Sequence, residues 1–66
     1  MKAIYDARTD TLSTILRAGA ALAESDEGEP GVILDFGEDG NLVSLKILDA
    51  SKRVTEARRI EFETVG

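Results

Sequence analysis

Apolar and polar residues alternate along this chain in short runs, broken by turn-forming residues, and the central pair of runs is the clearest. Residues 32–36 and 42–48 are apolar runs separated by Gly37, Glu38, Asp39, Gly40 and Asn41. Two such runs around a short acidic break with glycine predict a β-hairpin. At a period of two, Val32, Leu34 and Phe36 face one way, and Ile33 and Asp35 the other. On the partner run Val43, Leu45 and Ile47 share one face, while Leu42, Ser44, Lys46 and Leu48 share the other. Each strand therefore has one strongly apolar face and one mixed face. That suits an antiparallel sheet with one side in the core and the other partly covered.

Upstream, residues 2–5 read as a terminal or edge strand, and residues 6–10 (DARTD) as a turn held by local Asp and Thr hydrogen bonds. Residues 11–16 support two readings. Their β-branched content predicts a strand with Leu12, Thr14 and Leu16 on one face and Thr11, Ser13 and Ile15 on the other. The spacing of Leu12, Ile15, Leu16, Gly19 and Leu22 also suits a helix from about residue 10 to 24. Residues 20–25 could add a short strand, and residues 25–31 (SDEGEPG) read as a loop. Pro30 has no amide to give a ladder, so the next strand begins after it. Residues 49–57 fit a short helix with Asp49 or Ser51 as N-cap. Residues 59–65 alternate again, with Ile60 and Phe62 inward and Arg59, Glu61 and Glu63 outward, which predicts a final strand. The fold class expected is α+β, close to all-β: a small antiparallel β-meander of about five strands with one short helix near residues 49–57.

Length sharpens this picture. A chain of 66 residues is expected to be a single small domain, residues 1–66, near the lower limit of independent folding. Such domains usually gain stability from disulfides, metal or association. The absence of cysteine and histidine removes the first and nearly every zinc motif, so a homodimer is expected. No apolar run approaches the roughly 20 residues that span a bilayer. Met1-Lys2 leads directly into Ala3-Ile4-Tyr5-Asp6 without an apolar signal segment, and a cytoplasmic protein is expected.

The net charge of −5 argues against a general nucleic-acid binder. It is unevenly placed. Glu24, Asp26, Glu27, Glu29, Asp35, Glu38 and Asp39 make the middle acidic, whereas Lys46, Lys52, Arg53, Arg58 and Arg59 make the last third mildly basic. Solvated surface charge explains such a pattern, and an asymmetry of this kind also orients a partner or a second copy.

Candidate chemistry is sparse. Asp35-Phe36-Gly37 spells the kinase magnesium motif without the lobe or catalytic loop that motif requires. Asp35, Asp39 and Gly40 occupy positions 1, 5 and 6 of an EF-hand loop, but Gly37 and Lys46 stand where carboxylates are needed. Glu24, Asp26, Glu27 and Glu29 could weakly hold a hard cation, although a Gly-Pro loop is a poor frame for one. Asp6, Asp10 and Asp35 would serve acid–base chemistry only if the fold gathered them in a pocket. No serine has a histidine partner, and Gly19 lacks the further glycines of a phosphate loop. No cofactor is expected. Lys52, Arg53, Arg58 and Arg59 are the best anion-contacting group, with the first two near a helix start and the last two near its end. Of the three aromatics, Phe36 and Phe62 read as core, which leaves little for stacking nucleobases.

Several of these residues form a pattern: Met1-Lys2 with Tyr5-Asp6, Asp10 with Leu12, Glu29-Pro-Gly-Val-Ile-Leu-Asp35, Glu38-Asp-Gly-Asn-Leu-Val43 and Ile47-Leu-Asp-Ala-Ser-Lys-Arg53. The pattern resembles the short bacterial proteins of the domain-of-unknown-function family numbered twenty-two eighty-three. It covers residues 1 to about 54, and residues 49–53 (DASKR) are its most specific piece. The resemblance implies no established activity, catalytic residue or cofactor, and it makes an antitoxin-like or accessory partner role thinkable. Residues 12–16 (LSTIL) and the alanine-rich 17–23 depart from the family's usual pattern.

The function expected is a non-enzymatic protein–protein interaction module acting as a homo-oligomer, with an unidentified protein as a further partner. Its contact residues would be Lys52, Arg53, Arg58 and Arg59 on one side and Glu24, Asp26 and Glu27 on the other. The alternative is a small metal-dependent or catalytic protein using the acidic loops.

Overall fold

The computed structural model describes all 66 residues. Five strands, β1 (Lys2–Asp6), β2 (Thr11–Ile15), β3 (Leu22–Glu29), β4 (Val32–Gly37) and β5 (Leu42–Ile47), are followed by one turn of helix, α1 (Ala50–Arg53). All pairings are antiparallel, and the spatial order is β1-β2-β5-β4-β3. The protein is thus an open five-stranded sheet, mostly β, and the α+β description fits it only loosely. It is also not a strict meander, because β2 pairs with β5 rather than with β3.

The expected central hairpin is present, with its faces as read from residue 32 to residue 35; a register shift between Asp35 and Phe36 then sets Phe36 opposite Leu42. Val32 pairs with Ile47, Leu34 with Leu45, Ile33 with Lys46 and Asp35 with Ser44. Residues 11–15 resolve as strand rather than helix, with Leu12 opposite Ile47 and Thr14 opposite Leu45. One face therefore carries the row Tyr5, Leu12, Ile47 and Val32, and beside it the row Ala3, Thr14, Leu45 and Leu34. The opposite face is mixed: Ile4, Ser13, Lys46 and Ile33 in one row, Ile15, Ser44, Asp35 and Ser25 in the next. Directly opposed side chains of this kind are the unit of sheet stabilisation.

Four expectations are corrected. Residues 25–31 are not a loop, because β3 runs through the acidic segment to Glu29, and the break is Pro30-Gly31 alone. Charged residues are tolerated there because every β3 residue is exposed at the sheet edge, and a charged edge resists pairing with other chains. Gly31 adopts φ +81, the conformation a turn with proline before it demands. The helix stops at Arg53 rather than continuing to residue 57, since Val54 is extended and Glu56 is left-handed. The β-branched pair Val54-Thr55 disfavours a second turn. Residues 59–65 form no strand, and Ile60 and Phe62 are 72% and 76% exposed, so Phe62 is not core. A period of two permits a strand, but only a partner's hydrogen bonds make one. Finally, Arg58 and Arg59 lie in this tail, beyond the helix they were expected to end.

The sheet is thinly covered. Val43 and Ala50 are the only apolar side chains buried, alongside Asp35 and Ser44. The chain measures 34 × 33 × 19 Å, a slab. Residues Val54, Ala57 and Ile60 of the tail line a groove with Ala3, Tyr5 and Leu12, partly covering the apolar face over β1 and β2.

Candidate functional site

The polar side chains gather around two carboxylates. Asp10 ends the β1–β2 turn in a left-handed conformation, φ 53. Its Oδ1 accepts from the Tyr5 hydroxyl (2.7 Å) and from the Ser51 amide (2.9 Å), and its Oδ2 accepts from Ser51 Oγ (2.7 Å). The Asp10 carbonyl also accepts from the Ala50 amide at 2.9 Å. Asp10 thus satisfies the free amides at the start of α1 from a distant part of the chain. Neither expected N-cap does this: Asp49 is left-handed with no side-chain capping bond, and Ser51 lies inside the helix as a donor. The Ser51 and Tyr5 hydrogen bonds hold the Asp10 carboxyl below the usual aspartate range. The same Asp10 bond pushes the Tyr5 hydroxyl above its ordinary value, because a phenolate could not donate it.

Beside this clasp, Arg53 donates to the Pro30 carbonyl and stands 3.8 Å from Glu29. A Cβ at Gly31 would lie 3.0 Å from the Arg53 guanidinium, so the turn and the arginine fit closely. The β1–β2 turn, the Pro30-Gly31 turn and α1 therefore meet at one end of the sheet. They are the same pieces, Tyr5 with Asp10, Glu29-Pro-Gly31 and residues 49–53, that carry the family resemblance.

Asp35 is the second hub, 2% exposed in the middle of the mixed face. Ser25 Oγ donates to its Oδ1 at 2.6 Å and Ser44 Oγ to its Oδ2 at 2.7 Å. Lys46 Nζ stands 3.5 Å from Oδ2. The carboxylate ties three adjacent strands, and no buried side-chain polar atom is left without a partner. The Ser25 and Ser44 hydrogen bonds lower its pKa against the opposing effect of burial.

Other candidate residues are dispersed. Asp39 organises the β4–β5 turn, accepting from the Asn41 amide (3.0 Å) and from Arg17 (2.9 Å), and these bonds lower its pKa. Asp35 and Asp39 are thus committed to different partners rather than to a shared ion, and Asp6, Asp10 and Asp35 do not converge. No group of three Asp or Glu residues is placed to hold a metal. On β3, Glu24 and Asp26 lie opposite Phe36 and Leu34, and Glu27 lies opposite Ile33 while accepting from the Gly31 amide. The basic residues do not form one cluster. Arg53 is bound to the β3–β4 turn, Arg58 lies 5.6 Å from the Tyr5 ring centroid, Arg59 pairs with Glu61 at 2.8 Å, and Lys52 is exposed. The single signal for the Asp35 hub was its place on the mixed face of the hairpin with Ser44. Nothing in the sequence links Asp10 to Ser51.

The family model described as "Protein of unknown function (DUF2283)" matches residues 2–51. The chain belongs to the DUF2283 family. No curated protein and no solved structure matches it. The DUF2283 match takes in all five strands and both carboxylate hubs, whereas Lys52, Arg53, Arg58 and Arg59 fall outside it. No helix is long and apolar enough to cross a membrane.

Proposed function

We propose that this DUF2283 protein is a non-enzymatic interaction module that works as a homo-oligomer. One observation carries the reading. The accessible surface is 5043 Å² for a chain of 7.1 kDa. A folded monomer of that mass averages about 4,100 Å². The radius of gyration, 12.6 Å, likewise exceeds the roughly 11 Å usual for this length. The excess of roughly 900 Å² is comparable to the ~800 Å² each partner contributes to a stable interface. A slab with two buried apolar side chains gains stability by placing more of its surface against another chain.

Catalysis draws no comparable support. The buried carboxylate is saturated by two serines and a lysine, and the other hub is occupied in capping a helix. The exposed acids of β3, Glu24 and Asp26 in particular, would speed encounter with a basic partner. Light scattering across a hundredfold dilution ending at low micromolar concentration tests the reading. It is expected to return about twice the 7.1 kDa chain mass at the upper end of the series. The chain mass at every concentration would refute it.

A further inference from the structure

The geometry points to the outer edge of β1 as the contact between two copies of this chain, paired antiparallel about a two-fold axis at Ile4. The inference rests on the homo-oligomer reading and names its surface. An open sheet has two edges, here β1 and β3. The β3 edge carries Glu24, Asp26, Glu27 and Glu29, so two copies joined there would set carboxylates against carboxylates. The β1 edge, Lys2-Ala-Ile-Tyr-Asp6, has one cation and one anion at its two ends.

That arrangement is self-complementary. Antiparallel pairing centred on Ile4 sets Lys2 of each copy opposite Asp6 of the other, twice, and Ala3 opposite Tyr5. Lys2, Ile4 and Asp6 share one face of the strand, so both ion pairs flank the Ile4–Ile4 contact. Shifting by two residues in one direction sets Ile4 against Lys2. Shifting in the other sets Ile4 against Asp6 and brings Lys2 opposite Arg8. Charge therefore selects one register among those that keep each side chain on its face.

The edge is also open. No backbone hydrogen bond outside the strand ladders involves residues 2–6. Its outward amides and carbonyls are an unfilled template of the kind that strand addition uses. Ile4 is 42% exposed, and the tail lies over Ala3, Tyr5 and Leu12, on the face away from it. Asp6 already accepts from the Arg8 amide and sits 3.7 Å from the exposed Arg8 side chain. One carboxylate has lone pairs for that bond and for a lysine from the partner. The product is one continuous ten-stranded sheet with an acidic edge at each end.

Two charge variants, mixed, test this. Lys2→Glu alone would set Glu against Asp6 twice, and Asp6→Lys alone would set Lys against Lys2 twice. Each is expected to raise the dimer dissociation constant about tenfold at low salt. An equimolar mixture restores opposite charges at both positions and is expected to recover most of the loss as a heterodimer. A second measurement covers the case in which Asp6→Lys unfolds. The chain has no cysteine, so Ile4→Cys carries a single thiol facing its own counterpart about 4.5–5.5 Å away between Cα atoms. Mild oxidation is expected to give a covalent dimer in high yield. A wild-type dimer with unaltered affinity in both charge variants and no Ile4→Cys disulfide overturns the β1 contact and leaves the oligomer reading standing. A wild-type monomer at all concentrations overturns both.

Discussion

Asp10 and Asp35 are both aspartates bound by serine hydroxyls, yet they serve different ends. Asp10 stands at the rim of the sheet, where its half-buried carboxylate joins a turn to a helix 41 residues later. Asp35 stands within the sheet, 2% exposed, and joins strands that are already neighbours. Around Asp10, water can replace each lost partner, so the clasp specifies where α1 sits more than it stabilises the molecule. Asp35 and Ser44 are both buried, so a Ser44 hydroxyl left unpaired there bears the cost of desolvation, whereas Ser25 and Lys46 can turn to water. The same chemical group is a positioning device in one place and a condition of folding in the other.

Substitution separates the two. Asp35→Ala leaves Ser25 Oγ and Ser44 Oγ without their acceptor and Lys46 without its counterion. Urea unfolding is expected to show a loss of about 3 kcal/mol, enough to unfold most of so small a domain. Asp10→Ala should cost less by a factor of about two to three and leave the sheet formed. Its distinguishing mark is local: amide exchange at Ala50 and Ser51 should accelerate while β4 and β5 amides stay protected. Equal losses from the two variants would erase the distinction between clasp and clamp.

Titration sharpens the contrast further. Asp10, Asp35 and Asp39 have folded pKa values below their ordinary ones. Their contribution is complete above the unfolded aspartate value of about 3.9 and is lost as pH falls through the folded values. Tyr5 is raised, so its contribution is present below about pH 10 and is lost as pH rises through its folded value. Thermal midpoints should therefore fall on both sides of a neutral plateau. Asp35→Asn should flatten the acid limb most. Tyr5→Phe, the smallest effect, should flatten the alkaline limb alone. An alkaline limb that survives in Tyr5→Phe would show that the Tyr5–Asp10 bond is not its origin.

Much of the sheet could be read in advance because β2, β4 and β5 are half-buried, and half-burial writes an alternation of apolar and polar residues. Leu12, Leu34, Leu45 and Ile47 follow it and share a face. Only the start of β3 is legible, as the short strand read at residues 20–25; an exposed edge strand buries nothing and has no need of the alternation, so the acids and glycine beyond residue 25 read as loop. The tail misled in the opposite sense: Ile60 and Phe62 alternate with charges but meet no partner strand. The Asp10–Ser51 clasp was invisible because it depends on where two distant turns come to rest. Asp35 was noticed as a candidate metal ligand, whereas its oxygens are taken up by the strands beside it.

The strand order β1-β2-β5-β4-β3 also sets a timetable for the chain as it is made. The β1–β2 hairpin is complete by Ile15, but the strand it leans on begins at Leu42. A lone hairpin is marginal in water. At ordinary synthesis rates it must wait on the order of two to six seconds before β5 has been made. β3 and β4, by contrast, emerge next to each other and next to β5. Within this sheet, the hairpin made before the others is therefore the one that waits longest for its neighbour.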